Sequence, residues 1–138
     1  MRVSVIIPVF NERDTLPTVL ERLASSGVNA EQILVVDDGS TDGTAQWLAE
    51  ETNSGKIATL AHERNRGKGA AIATALPQAT GDFVVIQDAD LEYDPADLPE
   101  LLAPLREDRA DVVFGTRFAG GKVRQVAYHR QRWGNWLL

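Results

Sequence analysis

Two carboxylates separated by one residue, Asp88 and Asp90, directly follow the apolar run 83–86 (Phe-Val-Val-Ile). Residues two apart in an extended chain point the same way, and unpaired carboxylates at short range repel each other. A divalent cation relieves that repulsion, and carboxylate oxygens suit Mg²⁺ or Mn²⁺, which also bind diphosphate oxygens. The pattern predicts a metal and diphosphate site at the end of a central strand. The alternative is an acidic turn that caps a helix near Pro95, and Glu92 is either a further ligand or part of that turn.

A second acidic pair, Asp37 and Asp38, closes another apolar run and precedes Gly39, which permits a tight turn. A carboxylate in this place can accept hydrogen bonds from a nucleotide base or from ribose hydroxyls. We therefore expect Asp37 and Asp38 to contact a ligand. The Ser-Thr-Asp sequence of residues 40–42 favours capping of the next helix instead.

The turn after the first apolar run contains Pro8, Phe10 and Glu12. A dinucleotide-binding protein would have the loop Gly-x-Gly-x-x-Gly here, so a redox enzyme of the Rossmann type is disfavoured. Phe10 either stacks near a base or packs in the core. Glu12 is expected to face a ligand.

The basic segment 64–69 (Arg-Asn-Arg-Gly-Lys-Gly) precedes a helical pattern. It is not a P-loop, because neither Ser nor Thr follows Lys68 and no earlier glycine has the required spacing. Lys68 either meets a nucleotide base or phosphate, or belongs to a solvated helix entry, where backbone amides are able to hold an anion. The lone histidines, His62 and His129, are expected to be structural or at the surface rather than ligands.

Strand and helix patterns alternate along the chain. Apolar runs predict strands over 3–9, 32–37, 56–61, 82–87 and 110–115. Caps and apolar spacing predict helices over about 15–25, 42–51, 67–79, 95–106 and 128–138. This order predicts an α/β fold with a mostly parallel sheet and helices on both faces. The polar clusters described above fall at strand carboxyl ends, where such sheets bind ligands.

Composition narrows the class of protein. The 138 residues fit one domain, and the absence of cysteine excludes disulfides, thiolate metal sites and cysteine nucleophiles, which fits an intracellular protein. The amino-terminal apolar run is too short for a signal peptide. The net charge of −6 argues against general nucleic-acid binding.

The carboxyl-terminal residues 117–138 carry five cations and no acid, so the net charge of −6 combines +5 there with −11 in residues 1–116. This asymmetry indicates a local anionic partner or a solvated basic face. Trp133 and Trp136, close to Arg130 and Arg132, form either an interfacial amphipathic segment or a helix that packs on a further part of the fold.

Five blocks, taken together in this order and spacing, resemble family 2 glycosyltransferases, and among them the dolichyl/polyprenyl-phosphate mannosyl- and glucosyltransferases. The blocks are Val5-Ile6-Ile7-Pro8-Val9-Phe10-Asn11-Glu12, Val35-Val36-Asp37-Asp38-Gly39-Ser40, Arg64-Asn65-Arg66-Gly67-Lys68-Gly69, Asp88-Ala89-Asp90-Leu91-Glu92 and Gly115-Thr116-Arg117-Phe118.

The resemblance implies a GT-A fold and a nucleoside-diphosphate sugar, GDP- or UDP-linked, as donor. It implies a nucleotide site lined by Pro8, Phe10, Glu12, Asp37 and Lys68. It also implies that Asp88 and Asp90 hold the donor and its Mg²⁺ or Mn²⁺, with Glu92 beside them. Arg117, which would also serve catalysis, and Arg130 would face phosphates near the acceptor.

The implied reaction inverts the anomeric carbon. A polyprenyl phosphate acceptor is already anionic and needs no strong base, whereas a sugar hydroxyl would need one, and the chain has no acid after Asp111. We therefore expect a cytoplasmic enzyme, peripheral at the cytoplasmic face of a membrane. We also expect residues 1–138 to be the nucleotide-sugar-binding part of a GT-A domain that lacks its acceptor part.

Three alternatives remain open at this point. A nucleotidyltransferase is disfavoured, since it usually has a glycine-rich loop after its first strand. A nucleotide-sugar-binding fragment without turnover would bind the donor but form no product. A glycosyltransferase with a soluble sugar acceptor differs only in the acceptor, and the basic, Trp-containing segment favours lipid phosphate over it.

Overall fold

The computed structural model describes residues 1–52 and 55–115, which fall into two compact units, one of residues 1–96 and one that begins at Asp97. The strands of the first unit are β1 (Val3–Val9), β2 (Ala30–Asp37), β3 (Ala58–Ala61) and β4 (Phe83–Ile86). Its helices are α1 (Leu16–Ser25), α2 (Thr44–Thr52) and α3 (Lys68–Ala75), and a 3-10 turn (Leu76–Gln78) extends α3. The predictions of these strands and helices are confirmed, with boundaries that differ by a few residues.

All pairings in this sheet are parallel, in the order β3-β2-β1-β4. Ile6 of β1 lies opposite Leu34 of β2 on one side and Ile86 of β4 on the other. The chain therefore adds strands on one side of β1 and then crosses to the other. A crevice forms where the strand order reverses in this way, so the expected ligand position is the carboxyl end of β1 and β4.

Strand β1 is buried on both faces. Ile6 packs with Val36 of β2 and with Ala71 and Ala75 of α3, whose small side chains let the helix lie close to the sheet. The neighbours of Ile6 along the strand point to the opposite face, and Val5 is also fully buried. This explains why β1 is a continuous apolar run rather than an alternating one.

The prediction that 83–86 is a central strand is wrong for the described part of the chain, where β4 forms an edge of the sheet. Val84 and Ile86 are 38% and 40% exposed. An apolar run reports the tendency to extend and to be buried, but the run does not specify how many neighbours pair with it.

The predicted strand over 110–115 is also wrong, because these residues lie in irregular structure. A strand requires a partner for its backbone hydrogen bonds, and β-branched composition supplies none. Val112 and Phe114 are accordingly 56% and 62% exposed. The predicted helix over 128–138 lies outside the described residues.

In the second unit, α4 spans Leu98–Arg106, with Leu98 and Leu102 buried. Pro95, predicted in the first turn of this helix, instead begins a 3-10 turn (Pro95–Asp97) directly before it. Across residues 1–52 and 55–115, no helix has the length and apolar character needed to cross a lipid bilayer.

Candidate active site

A cavity of about 320 Å³ opens where β1, β2 and β4 end and α3 begins. The residues that line it come from those three strand ends, from the loop before α3 and from α3 itself: Pro8, Val9, Phe10, Glu12, Asp38, Asn65, Gly67, Lys68, Ala71, Asp88, Ala89 and Asp90. Seven residues predicted from the sequence as site residues thus lie together. The cavity occupies the crevice that the strand order predicts.

The acidic side of the cavity is the turn after β4. Gln87 is 2% exposed, and its side-chain amide donates to the backbone carbonyls of Asp88 (3.0 Å) and Tyr93 (3.1 Å), which fixes the two ends of the turn. Asp90 is exposed, and its Oδ1 accepts the amide of Glu92 at 3.0 Å. Both carboxylates, Asp88 and Asp90, therefore reach the cavity, while Glu92 is exposed outside its lining.

Lys68 places its ammonium against the acidic side. Its Nζ lies 2.5 Å from Asp88 Oδ1. The Lys68 side chain is 56% exposed and that of Asp88 23%. An exposed ion pair of this kind contributes little to stability. The pair nevertheless shows that the Asp88 carboxylate can contact a cationic group that lines the same cavity.

The residues present fit a divalent cation. Asp88 already pairs with a cation, and Asp90 brings a second carboxylate to the same cavity. Within the described ranges, no three His, Asp or Glu side chains are grouped closely enough to hold a metal by themselves. Two carboxylates with remaining positions open to water and diphosphate oxygens are the arrangement that Mg²⁺ usually takes.

The turn after β1 also lines the cavity. Glu12 is oriented at two points: its amide donates to Thr44 Oγ1 at 3.2 Å, and its carboxylate accepts the hydroxyl of Thr15. Thr15 stands at the start of α1 but makes no side-chain cap there. Phe10 is 44% exposed beside the cavity, so the alternative that it packs in the core is excluded.

The two adjacent acids after β2 have different partners. Asp37 is 4% exposed, and its Oδ1 accepts the amide of Ser40 at 3.0 Å rather than lining the cavity. Asp38 lines the cavity and is 3% exposed. Its carboxylate accepts the amides of Arg66 (2.9 Å) and Gly67 (2.7 Å). It therefore occupies the anion position at the start of α3.

Asp38 also pairs with His62, whose Nδ1 lies 2.6 Å from Asp38 Oδ1. Burial works against the charged carboxylate. The hydrogen bond with His62, followed by those from the amides of Arg66 and Gly67, nevertheless holds the pKa of Asp38 below its ordinary value.

Gly39 allows the turn after β2 to touch the loop before α3. Its φ is +77°, a conformation that side chains disfavour. A Cβ at this position would lie 2.6 Å from the carbonyl carbon of Arg64. The close backbone approach brings Asp38 within reach of the amides of residues 66 and 67.

The segment 40–42 is structural, as its capping pattern predicted. Asp42 Oδ1 accepts the amide of Thr44 at 3.0 Å, at the first residue of α2. The hydroxyl of Ser40 accepts the amide of Asn11 at 2.9 Å, and the amide of Thr41 donates to Asn11 Oδ1 at 2.8 Å. These bonds tie the turn after β1 to the turn after β2.

The structure adds Asn65 and Gly67 to the cavity lining, although the sequence pattern singled out only Lys68 from their segment. The pairing of His62 with Asp38 had no sequence signal, since the two residues are 24 positions apart. Arg117 and Arg130, predicted near the acceptor phosphate, lie outside the described residues.

Comparison with known families adds to this geometry. The sequence model described as "Glycosyl transferase family 2" matches residues 4–138. This chain belongs to that family. The resemblance seen in the five sequence blocks is thereby confirmed.

Two curated relatives within this family transfer sugars to lipid phosphates, according to their names. The dolichol-phosphate mannosyltransferase of Pyrococcus furiosus is 34% identical over 134 residues, which are 95% of this chain and 38% of the relative. The undecaprenyl-phosphate 4-deoxy-4-formamido-L-arabinose transferase of Proteus mirabilis is 42% identical over 121 residues, 84% of this chain and 36% of the relative. The chain thus spans less than two-fifths of the length of these proteins.

A solved structure supports the fold assignment. The mannosyltransferase PcManGT of Pyrobaculum calidifontis, in complex with GDP-Man and Mn²⁺, matches with a TM-score of 0.64 and 33% identity, over 82% of this chain and 33% of that one. The predicted GT-A fold, with its parallel α/β sheet, is confirmed.

Proposed function

We propose that this chain is the donor-binding part of an inverting glycosyltransferase. It would take a sugar from a nucleoside diphosphate, GDP or UDP, and transfer it to a polyprenyl phosphate. The observation that carries the proposal is the cavity itself, where Asp88, Asp90 and Lys68 face Phe10 and Glu12. Carboxylates for a cation, an ammonium for phosphate and an exposed ring for a base are the parts that a nucleoside diphosphate requires.

The metal part of the proposal assigns Asp88 and Asp90 as ligands of Mg²⁺ or Mn²⁺. The sequence-based expectation that Glu92 is a further ligand gains no support from the geometry, because Glu92 lies outside the cavity lining. When bound, the ion would offset negative charge on the departing diphosphate. Lys68, which pairs with Asp88 in the structure, would turn to the same diphosphate. The two acids and the lysine thus stabilise the charge that develops as the sugar leaves.

In the proposed transfer, an acceptor phosphate oxygen forms a bond to the anomeric carbon. The bond from that carbon to the diphosphate oxygen breaks on the opposite face, so the configuration inverts. The nucleoside diphosphate leaves with the electron pair. A phosphate acceptor brings its own negative charge and therefore needs no strong general base.

The acceptor assignment rests on the names of the relatives and on the basic segment 117–138, where Arg117 and Arg130 are the proposed phosphate contacts. An enzyme that works on a lipid phosphate would act at a membrane surface, so we propose a peripheral position at the cytoplasmic face. Residues 1–138 would then belong to one GT-A domain as its nucleotide-sugar-binding part, with the acceptor part outside this chain.

The donor site is tested by calorimetric titration of GDP, UDP and their sugar conjugates, with Mn²⁺ and with EDTA. We expect one nucleotide to bind only with the metal. The chain offers a matched pair of variants, because Asp90 and Asp94 each accept the amide two residues ahead, at 3.0 and 3.1 Å, and only Asp90 lines the cavity. Asn at either position retains that local bond and removes the charge.

Asp90→Asn should weaken metal-dependent binding by at least about 100-fold, because even partners outside the ligand shell change metal affinity about 10- to 100-fold. Asp94→Asn should leave it unchanged. Equal effects of the two variants, or a folded chain that binds no nucleotide, would contradict the proposal.

A second candidate function is donor binding without turnover. A product assay separates the two. With a longer chain that includes the acceptor part, the donor and an undecaprenyl phosphate should give a glycolipid of inverted anomeric configuration, while glucose or mannose as acceptor should give none. Donor binding without glycolipid would favour the binding module, and product from the free sugar would identify a soluble acceptor.

A further inference from the structure

His62 lies directly after β3 and is buried, with its side chain 5% exposed. Both nitrogens of its ring have partners: Nδ1 is 2.6 Å from Asp38 Oδ1, and Nε2 is 2.9 Å from Thr74 Oγ1 on α3. Its backbone amide donates to the carbonyl of Asp37 at 2.8 Å. A carboxylate accepts hydrogen bonds, so Nδ1 carries the proton in this pair.

The bonds of Asp38 lead from His62 to the cavity. Its two oxygens accept the amides of Arg66 and Gly67, the last residues before α3. Lys68 follows immediately and extends its ammonium to Asp88. A carboxylate that rotated by even a few tens of degrees would lose the geometry of these two amide bonds. The orientation of Asp38 therefore determines where the residues preceding Lys68 lie.

A merely space-filling role explains this arrangement poorly. Burying a histidine and a carboxylate carries a desolvation cost that an apolar pair of similar volume avoids. The remaining bonds of the pair end on the loop before α3 and on Thr74 of α3 itself. These are the two segments on either side of Lys68.

We infer that His62 is a positioning residue of the donor site. Through Asp38 it fixes the backbone of residues 66 and 67, so that Lys68 is held at the cavity, ready for the diphosphate of the donor. This inference rests on the proposed function in one respect, namely that the cavity binds a nucleoside diphosphate sugar.

Two substitutions separate the bonds of the ring. Asn at position 62 carries a side-chain amide close to the place of Nδ1, so His62→Asn retains the contact with Asp38 and loses the contact with Thr74. Gln is one carbon longer and carries its amide close to the place of Nε2, so His62→Gln does the reverse. Both variants are polar and smaller than histidine, which makes each the control for the other.

The first measurement needs no nucleotide. Hydrogen exchange of the Arg66 and Gly67 amides is followed by NMR in the 138-residue chain. His62→Gln should speed exchange of the Arg66 amide by about tenfold or more, the loss expected when one hydrogen bond to a charged group weakens. The Gly67 amide should respond less, because it also donates to Asn65 Oδ1 at 3.0 Å. His62→Asn should change the exchange rate by less than about threefold. Equal rates in the two variants would overturn the inference.

The second measurement asks whether His62 acts through Lys68. GDP and UDP are titrated with Mn²⁺ into the wild type, His62→Gln, Lys68→Ala and the double variant. His62→Gln should weaken binding by about tenfold in the wild type and by less than about twofold in the Lys68→Ala background. Additive losses would mean that His62 does not position Lys68.

The two measurements fail independently. A wild-type chain that binds no nucleotide contradicts the proposed function, while amide exchange still decides whether His62 holds the loop. If neither histidine variant folds, the wild type provides a third readout, because the inference requires a slowly exchanging proton on Nδ1 of His62 in its NMR spectrum. A ring protonated on Nε2 alone would overturn it.

Discussion

Two parts of the cavity lining differ in how many bonds hold their acidic residues. On the side formed by β2 and the loop before α3, Asp38 is 3% exposed and its carboxylate is bonded to a histidine and two backbone amides. On the side formed by the turn after β4, Asp90 is exposed and its described bond is one to a neighbouring amide. The first side is held by several internal bonds, whereas the second presents two carboxylates, of which Asp88 pairs with Lys68 and Asp90 is exposed to solvent.

This difference has a physical reason. Asp38 and its partners are already ordered, so binding a ligand beside them costs less conformational entropy. Hydrogen bonds in this buried network are also strengthened by the low dielectric of the interior. The proposed metal ligands, Asp88 and Asp90, are partly or fully exposed, which leaves room for the waters that Mg²⁺ keeps when bound. Leu91, at φ +63°, shows that this turn also holds a residue in a disfavoured conformation.

The largest loss of stability should come from the close packing of Gly39 against the loop before α3. Gly39→Ala should destabilise the chain by about 3 kcal/mol, because its Cβ would meet the backbone of Arg64 at 2.6 Å. Gly43→Ala is the matched control, with a φ of +94° and nothing within 4 Å of the added carbon. It should cost about 1 kcal/mol, for backbone strain alone. Urea unfolding checks both, and similar losses would show that the contact contributes little.

The positions of Asp88 and Asp90 should depend on the side-chain amide of Gln87, which bonds both ends of the turn after β4. Gln87→Met should destabilise the chain by about 2 kcal/mol, because two backbone carbonyls, those of Asp88 and Tyr93, lose their donor. It should also lower Mn²⁺ affinity, measured by titration calorimetry with nucleotide present. Gln46→Met, on the exposed surface of α2, is the control. Unchanged Mn²⁺ affinity in Gln87→Met would mean that the acids do not need the fixed turn.

The buried pair of Asp38 and His62 should affect how the free energy of unfolding changes with pH. The pKa of Asp38 is lower in the folded chain than its ordinary value. Its contribution is therefore fully present above the unfolded pKa and is lost as the pH falls through the folded pKa. Unfolding free energy measured from pH 6 downward should fall less steeply in Asp38→Asn than in the wild type. Parallel curves would contradict the assignment of a stabilised carboxylate.

The smallest effect should come from a surface pair far from the cavity. Arg2 donates to Asp82 at 2.8 Å, and this hydrogen bond, with a second from the Arg2 amide, lowers the pKa of Asp82 to about 2. Any stability it adds is present above its unfolded pKa and lost as the pH falls toward 2. Asp82→Asn should flatten the unfolding curve only slightly in that range, since the pair is exposed. A change as large as that of Asp38→Asn would remove the contrast between buried and exposed carboxylates.

The sequence located most of the site because polar residues at the ends of parallel strands converge. Asp88 and Asp90, two positions apart, were expected on one side, and both line the cavity. The same rule could have separated Asp37 from Asp38, since adjacent residues of a strand point to opposite faces. Only Asp38 lines the cavity, while Asp37 accepts the Ser40 amide.

What the sequence could not provide depends on distant partners. Nothing near His62 in the sequence indicates that its ring contacts Asp38. The contact depends on the pairing of β2 with β3 and on the close backbone approach that Gly39 permits. The edge position of β4 and the irregular residues 110–115 escaped prediction for a similar reason. Apolar composition states a preference for pairing, but tertiary structure decides which strands pair.

The place of β1 between β2 and β4 also determines the order in which the chain can fold as it leaves the ribosome. Val3 pairs with Ala30 early in synthesis, but its other partner, Phe83, emerges some 50 residues later. Pairings across such separations form slowly, because the loop between them must close first. The contacts of His62 with Asp38 and Thr74 can therefore form once residue 74 has left the ribosome. Asp88 and Asp90, which follow β4, are the last of the cavity residues to emerge. Until β4 pairs with β1, one edge of β1 has unpaired backbone groups that other chains could pair with.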